Sequence, residues 1–258
     1  MKALLLAFGA LAACRVSGTP GMAEARADER VLDASGEGSV LVELFTSEGC
    51  SSCPPADELL VDLARRDPAV YTLEFHVDYW DSLGWPDPLA SPDFTARQRR
   101  YARALGTTGM FTPQMIVNGT DSFTGSDRAH AEESIQRALA RPITVPLSIR
   151  TRAIDSGSVA VDYSATGASS DAVLDVALVE HSRSTEVRAG ENAGKRLHHS
   201  NVVRELVVVP LRQARGSAVV RVPSTLRRGD AEVVAFVQLA GREGSGMPIL
   251  GCARSVFP

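Results

Sequence analysis

The stretch SVLVELFTSEGCSSCPPADELLVDLARR, Ser39 to Arg66, constrains this chain more than any other. Its first part, Ser39 to Ser47, is a short apolar run rich in β-branched residues and reads as a buried strand. Cys50 and Cys53 follow, then Pro54 and Pro55. Beyond the prolines, Leu59, Leu60, Leu63 and Ala64 share one helical face, and a helix there stops before Asp67-Pro68. A strand must therefore turn into a helix within a few residues, with a cysteine pair at the junction. Proline has no backbone N–H to give, so both prolines fit the first helical turn, where that group has no intrahelical partner. The regular helix is thus expected to start nearer Ser52 than Cys50.

Three uses of such a pair stand open: a redox couple, half of a metal site, or a structural staple. A thiolate beside a helix N-terminus faces unpaired N–H groups and the positive end of the helix dipole, which favours the charged form. On the redox reading Cys50 enters first, lies on the exposed side and is the nucleophile, while Cys53 resolves. Ser51 and Ser52 offer hydroxyls but no charge, and Glu48, Asp57 and Glu58 nearby oppose a thiolate, so the Cys50 pKa is expected to be depressed without being extreme. On the metal reading Cys50, Cys53 and His76 would suit Cu(I) or Zn. No second cysteine pair follows at zinc spacing, and no metal ligand is assigned.

The start of the chain sets the redox surroundings. Met1-Lys2 and the apolar run ALLLAFGALAAC are too short to span a bilayer as a helix and read as an export signal over residues 1–25. Two processing sites compete. LAAC, Leu11 to Cys14, has the form of a lipobox, in which Cys14 is lipidated and tethers the chain to a membrane. AEA, Ala23 to Ala25, is a small-residue cleavage site. Either places the chain in the periplasm or outside the cell, where disulfides persist. Its partners are then the thiols and disulfides of exported or envelope proteins. Residues 26–38 are polar and aperiodic, a linker. With Cys14 set apart, Cys50, Cys53 and Cys252 remain, an odd number; Cys252, in ILGCARSV, reads as a small core residue. The net charge of −4 is spread over both signs, with no concentrated basic face for nucleic acid.

Residues 39–141 read as β-α-β-α-β-β-α. VYTLEFHVDYW (Val70 to Trp80) is the second strand. Ser91-Pro92-Asp93 caps a helix that runs to about Leu105 and ends at Gly106; Arg97, Arg99, Arg100 and Arg103 decorate it as a solvated face. TPQMIVNGTDSFTG is a hairpin turning at Asn118-Gly119, and SDRAHAEESIQRALAR is a capped helix ended by Pro142. Beyond Pro142 the texture changes to seven short Val-rich runs separated by Gly, Ser and Asp, an all-β domain of the sandwich kind over 142–258. Trp80 and Trp85 cover the cysteines, grip a partner, or anchor a packed loop. His198 and His199, with Glu191 and Asn192, read as loop residues that satisfy backbone groups, the alternative being that they face the cysteines. No nucleophile elbow, phosphate loop or paired-carboxylate motif appears.

The order β-(CxxC)-α-β-α-(Thr-Pro)-β-β-α resembles the thioredoxin fold. FTSEGCSSCPPAD, FHVDYWDSLGW, SPDFTARQRRYA, TPQMIVNG and GENAGKRLHHSNVVREL together resemble a bacterial secreted family catalogued as a domain of unknown function with a thioredoxin-like core. The resemblance implies an α/β thioredoxin-like N-terminal domain followed by the β-sandwich-like one. It further implies a cis Thr112–Pro113 bond beside the cysteines, with Thr112 and Pro113 positioning a partner's chain. It gives Glu43 the role of buried proton relay to Cys53; otherwise Glu43 is a solvated edge residue. The function read from all this is thiol–disulfide exchange through a Cys50/Cys53 pair, with no cofactor. The alternatives are a non-catalytic envelope binding module with a structural disulfide, and a copper-handling thiol protein.

Overall fold

Strand β1 (Val40–Thr46) is buried at every residue, as an unbroken apolar run requires, because both of its faces are covered. The computed structural model describes residues 38–258, with Met1; the export signal, the processing sites at Cys14 and Ala23 to Ala25, and all but the last linker residue lie outside the described residues. On one face of β1, Val40, Val42 and Leu44 pack with Ala56, Leu59, Leu60 and Leu63 of helix α1 (Pro54–Arg66). Ala131, Ile135 and Ala138 of helix α3 (Arg128–Leu139) join them. On the other face, Leu41 and Phe45 meet Phe94 and Tyr101 of helix α2 (Pro92–Leu105).

Local expectations for these elements hold. Cys53 is the N-cap of α1, with proline in its first turn. Ser91 accepts a bond from the Asp93 N–H at the head of α2, and Gly106 closes that helix with φ +68°. Asn118 and Gly119, at φ +46° and +71°, turn β3 (Gln114–Val117) into β4 (Asp121–Thr124) with the pair of left-handed conformations of a type I′ turn, and Thr120 makes the loop three residues long, since Val117 pairs with Asp121.

β2 (Val70–His76) lies parallel to β1, from Val40 opposite Val70 to Thr46 opposite His76, and β3 lies antiparallel on the other edge of β1. The second half supplies seven strands, as its pattern predicts: β5 (Leu147–Asp155), β6 (Ser158–Ala165), β7 (Ala172–Glu186), β8 (Arg196–Pro210), β9 (Arg215–Arg221), β10 (Ala231–Leu239) and β11 (Ile249–Val256). They do not all stay apart from the first half: β5, β6 and β9 form a sheet of their own, and the other four join the sheet of β1. β8 adds to the free edge of β2, parallel, with Glu74 opposite Val202. The result is one eight-stranded mixed sheet ordered β11-β10-β7-β8-β2-β1-β3-β4, and a three-stranded sheet β5-β6-β9. Val159 and Val161 of the small sheet share a core with Leu174, Val176, Val233 and Ala235 of the large one. Pro142 thus marks where the α-helices end. Residues on both sides of it share the large sheet and belong to one compact unit.

Arg97 is a correction. Its helix was expected to carry it on a solvated face, yet it is wholly buried. Its Nε donates to Glu43 Oε1 at 2.6 Å and one terminal nitrogen to Asp175 Oδ1 at 2.9 Å. The other reaches Gln238 Oε1 at 3.2 Å and the Tyr101 hydroxyl at 3.3 Å. One side chain therefore ties β1, β7, β10 and α2 together. Burial works against its charge, but Glu43, Tyr101 and Asp175 outweigh it and raise the guanidinium further above its ordinary pKa. Burial lifts Asp175 to about 6 against the pull of Arg97.

Cys252 fills a core position on β11 among Phe236, Val234 and Phe45, as expected of it. Among the described residues it is the free cysteine, and burial pushes its thiol up to about 12. Iodoacetamide at neutral pH should leave the Cys252 peptide unmodified in the native oxidised protein and modify it fully in denaturant, read by peptide mass. Native labelling at the rate of a free thiol would contradict this packing.

Candidate functional site

Cys50 and Cys53 are joined by a disulfide with Cα atoms 5.5 Å apart, within the ordinary span of such a bond. After β1 the chain makes two tight turns: the Cys50 N–H donates to Ser47 O at 3.1 Å, and the Cys53 N–H to Cys50 O at 3.2 Å. Cys53 O then accepts from Ala56 and Asp57, which starts α1. Ser51 and Ser52 are exposed, and Ser52 Oγ lies 3.3 Å from Cys50 Sγ. Both cysteines, however, are wholly buried, so the expectation of an exposed Cys50 fails.

The cover comes from the far half of the chain. Residues 187–195, between β7 and β8, fold back on the cysteine loop. Asn192, itself buried, donates through Nδ2 to Glu48 O and to Cys50 O, both at 2.9 Å. Lys195 Nζ holds the other end of the Asn192 amide at 2.9 Å. Glu191 Oε2 accepts the Ser51 N–H at 3.0 Å, and its bonds to Ser51 hold the carboxyl below its usual range. Gly190, at φ +73°, lets the loop pass against Trp85, whose Cβ lies 3.1 Å from where a Gly190 Cβ would stand. Glu191 and Asn192 do satisfy backbone groups, as read from the sequence. The groups are those of the cysteine loop.

The Thr112–Pro113 bond is cis. Pro113 packs by the first turn of α1: a Cβ on Gly125 would stand 3.0 Å from Pro113 Cβ and 3.1 Å from Ala56 Cβ. Trp80 and Trp85 both aim their indole N–H inward. Trp80 Nε1 donates to Thr112 Oγ1 and Trp85 Nε1 to Glu48 Oε2, each at 2.8 Å. They anchor the loop around a short 3-10 turn (Asp78–Leu83) and are half-buried, tied to Thr112 and to Glu48 of the cysteine loop.

Glu43 is not placed as a relay to Cys53. It is buried rather than solvated, but alternation along β1 turns it to the α2 face, where Arg97 and Tyr101 engage both carboxylate oxygens. The α1 face holds other ionisable groups. Asp57, one helical turn after Cys53, is buried and accepts from Thr46 Oγ1 at 2.8 Å; burial and the neighbouring Glu74 raise it to about 7. Glu74 Oε1 lies 3.1 Å from His76 Nε2 and 2.6 Å from His199 Nδ1. His76 Nδ1 lies 2.7 Å from Asp87 Oδ2. Burial opposes charge on His76, but Asp87 and Glu74 raise it to about 9. His199 is raised by Glu74 and Glu48 in the same way, and the two histidines hold Glu74 down to about 2 against its burial. His198, the next residue on β8, points away and meets Ser184 Oγ at 2.7 Å.

Sequence reasoning saw His76 and His199 but joined neither to Glu74, Asp87 or Asp57. One signal was available. Thr72, Glu74 and His76 form a polar row along β2, alternating with Tyr71, Leu73 and Phe75 in a strand buried throughout. A strand covered on both faces keeps such a row only where partners meet it.

Fold and site together define a mixed α/β protein, mostly sheet, that carries a C-x-x-C disulfide where a strand passes into a helix. The chain belongs to the family described as protein of unknown function (DUF1223), whose model matches residues 41–238. It is similar to the crystal structure of protein AGR_C_4864 from Agrobacterium tumefaciens, at 29% identity over 86% of this chain and 96% of that one, with a TM-score of 0.64. It shares a fold with HBP35 of Porphyromonas gingivalis, at 12% identity over 86% of this chain and 76% of that one, with a TM-score of 0.61. No curated protein matches it.

Proposed function

We propose that this is an exported thiol–disulfide exchange protein that uses Cys50 and Cys53 on thiols of exported or envelope proteins. The single observation that carries the reading is positional. The disulfide sits at the head of α1, and the Thr112–Pro113 loop packs against the same helical turn. The order β2-β1-β3-β4 with α1 between the parallel strands supports a thioredoxin-like core for residues 39–141.

In the oxidised form a partner thiolate attacks Cys50 Sγ, the Cys50–Cys53 bond breaks, and Cys53 leaves as a thiolate at the helix N-terminus. A second partner thiol then displaces Cys50. The partner leaves as a disulfide, and two electrons remain here as two thiols. The reverse sequence, with Cys53 resolving, returns them. Because both sulfurs are buried, the 187–195 loop or the Ser51-Ser52 turn must lift for attack.

That burial equally favours a second reading, a structural disulfide in a binding module. Insulin reduction and a titration in thiol buffers of graded potential separate them. The exchange reading expects turnover, lost in Cys50→Ser, and a reversible two-electron transition in the folded protein. A bond that resists reduction until the chain unfolds would overturn it and leave the binding module.

A further inference from the structure

We propose that Glu74, His76 and His199, with Asp57, form a site for one divalent transition-metal ion of the zinc type, buried behind the cysteine loop. The donor atoms of Glu74, His76 and His199 all lie within 4.8 Å of one another, and all three residues are buried. The two rings stand edge to face with centroids 4.6 Å apart, and their near nitrogens converge on the same atom, Glu74 Oε1. Asp57 Oδ2, 4.0 Å from His199 Nδ1, stands outside that trio and would move in as the fourth donor.

The far side of each ring carries the second half of the case. A metal-bound histidine generally gives its other ring N–H to a carboxylate or carbonyl, which fixes the tautomer and aims the ring. Behind His76 stands Asp87, at 2.7 Å from Nδ1, itself fixed by the N–H groups of Glu48 and Leu89. Behind His199 stands Glu48, whose Oε1 is 3.5 Å from Nε2. Both of those atoms are wholly buried and lack a hydrogen-bond partner among the described residues, a costly state for buried polar groups. Metal entry relieves it. Ligand atoms on a tetrahedral ion stand about 3.3 Å apart, given bonds of about 2.0 Å, whereas Glu74 Oε1 and His199 Nδ1 are 2.6 Å apart. Making room moves the His199 ring a few tenths of an ångström away from Glu74 and carries Nε2 towards Glu48.

Charge balances as well. Four carboxyl groups, those of Glu48, Asp57, Glu74 and Asp87, surround two imidazoles. That excess of carboxyl groups over imidazoles suits a divalent cation, whose entry displaces protons from the donor atoms it takes. No electron moves. Two imidazoles and carboxylate oxygens without a thiolate suit Zn(II) and Co(II), not Cu(I).

The test uses the full chain with its disulfide intact, unfolded with a chelator, freed of metal, and refolded with Zn(II) or Co(II). We expect one ion per chain after desalting. The Co(II) form should show visible d–d bands without a thiolate charge-transfer band, and uptake should release protons near neutral pH. His76→Gln and His199→Asn, each checked for folding by circular dichroism, should hold at least tenfold less metal. The Cys50→Ser, Cys53→Ser double variant should hold as much as the parent. Parent protein that refolds in the presence of Zn(II) or Co(II) and holds no ion after desalting overturns the site, and that result needs no variant to fold. So does undiminished uptake in a folded histidine variant, or loss of uptake in the cysteine variant.

Discussion

Arg97→Ala is expected to cost about 3–5 kcal/mol, the usual penalty for removing one partner of a buried ion pair. Glu43 and Asp175 are buried with the guanidinium, and without it they would face each other across the sheet core with no cation between them. A domain of ordinary stability has about 5–15 kcal/mol in all, so much of this variant should be unfolded at modest denaturant. Urea unfolding of the oxidised protein, followed by circular dichroism, reads the loss directly. Arg97→Met combined with Glu43→Gln and Asp175→Asn should recover most of it, since the penalty belongs to the stranded charges. A single Arg97→Ala variant within 1 kcal/mol of the parent would show that the tie does not hold the halves together.

Asn192→Ala is expected to act at the cysteine loop far more than on the whole molecule. The substitution strips the hydrogen bonds from Glu48 O and Cys50 O. An unpaired buried carbonyl costs about 1–3 kcal/mol, and a segment that gains exposure can satisfy it with water. The loop should therefore open more often, and reduction of Cys50–Cys53 by dithiothreitol should quicken by about tenfold or more, the change that 1.4 kcal/mol of local opening brings. Amide exchange at Ser51 should quicken with it. Unchanged reduction in a folded Asn192→Ala protein would mean that access to the sulfurs is set elsewhere.

Signals confined to a few neighbouring residues were legible in the sequence. Pro54-Pro55 placed the start of α1, Ser91-Pro92-Asp93 the start of α2, and Asn118-Gly119 the hairpin. The Val-rich runs counted the seven strands of the second half. The cysteine pair and Thr112-Pro113 were legible as motifs and through resemblance. What escaped depends on distance along the chain. Glu191 reaches Ser51 across 140 positions, and His199 reaches Glu74 across 125. A strand pattern tells which faces are buried but not which edge pairs with which, so the junction of β2 with β8 left no mark in either segment alone. Arg97 looked solvated because charge on a helix normally is. Only the acids on β1 and β7 make its burial tolerable.

The roof over the cysteine pair is made late. Asn192 follows Cys50 by 142 positions, so a ribosome delivers both sulfurs long before it delivers the residue that closes over them. Until that segment arrives the turn stands bare, and it is the second half of the chain that closes it. Access to the sulfurs is therefore a property of the finished fold and not of the motif that carries them.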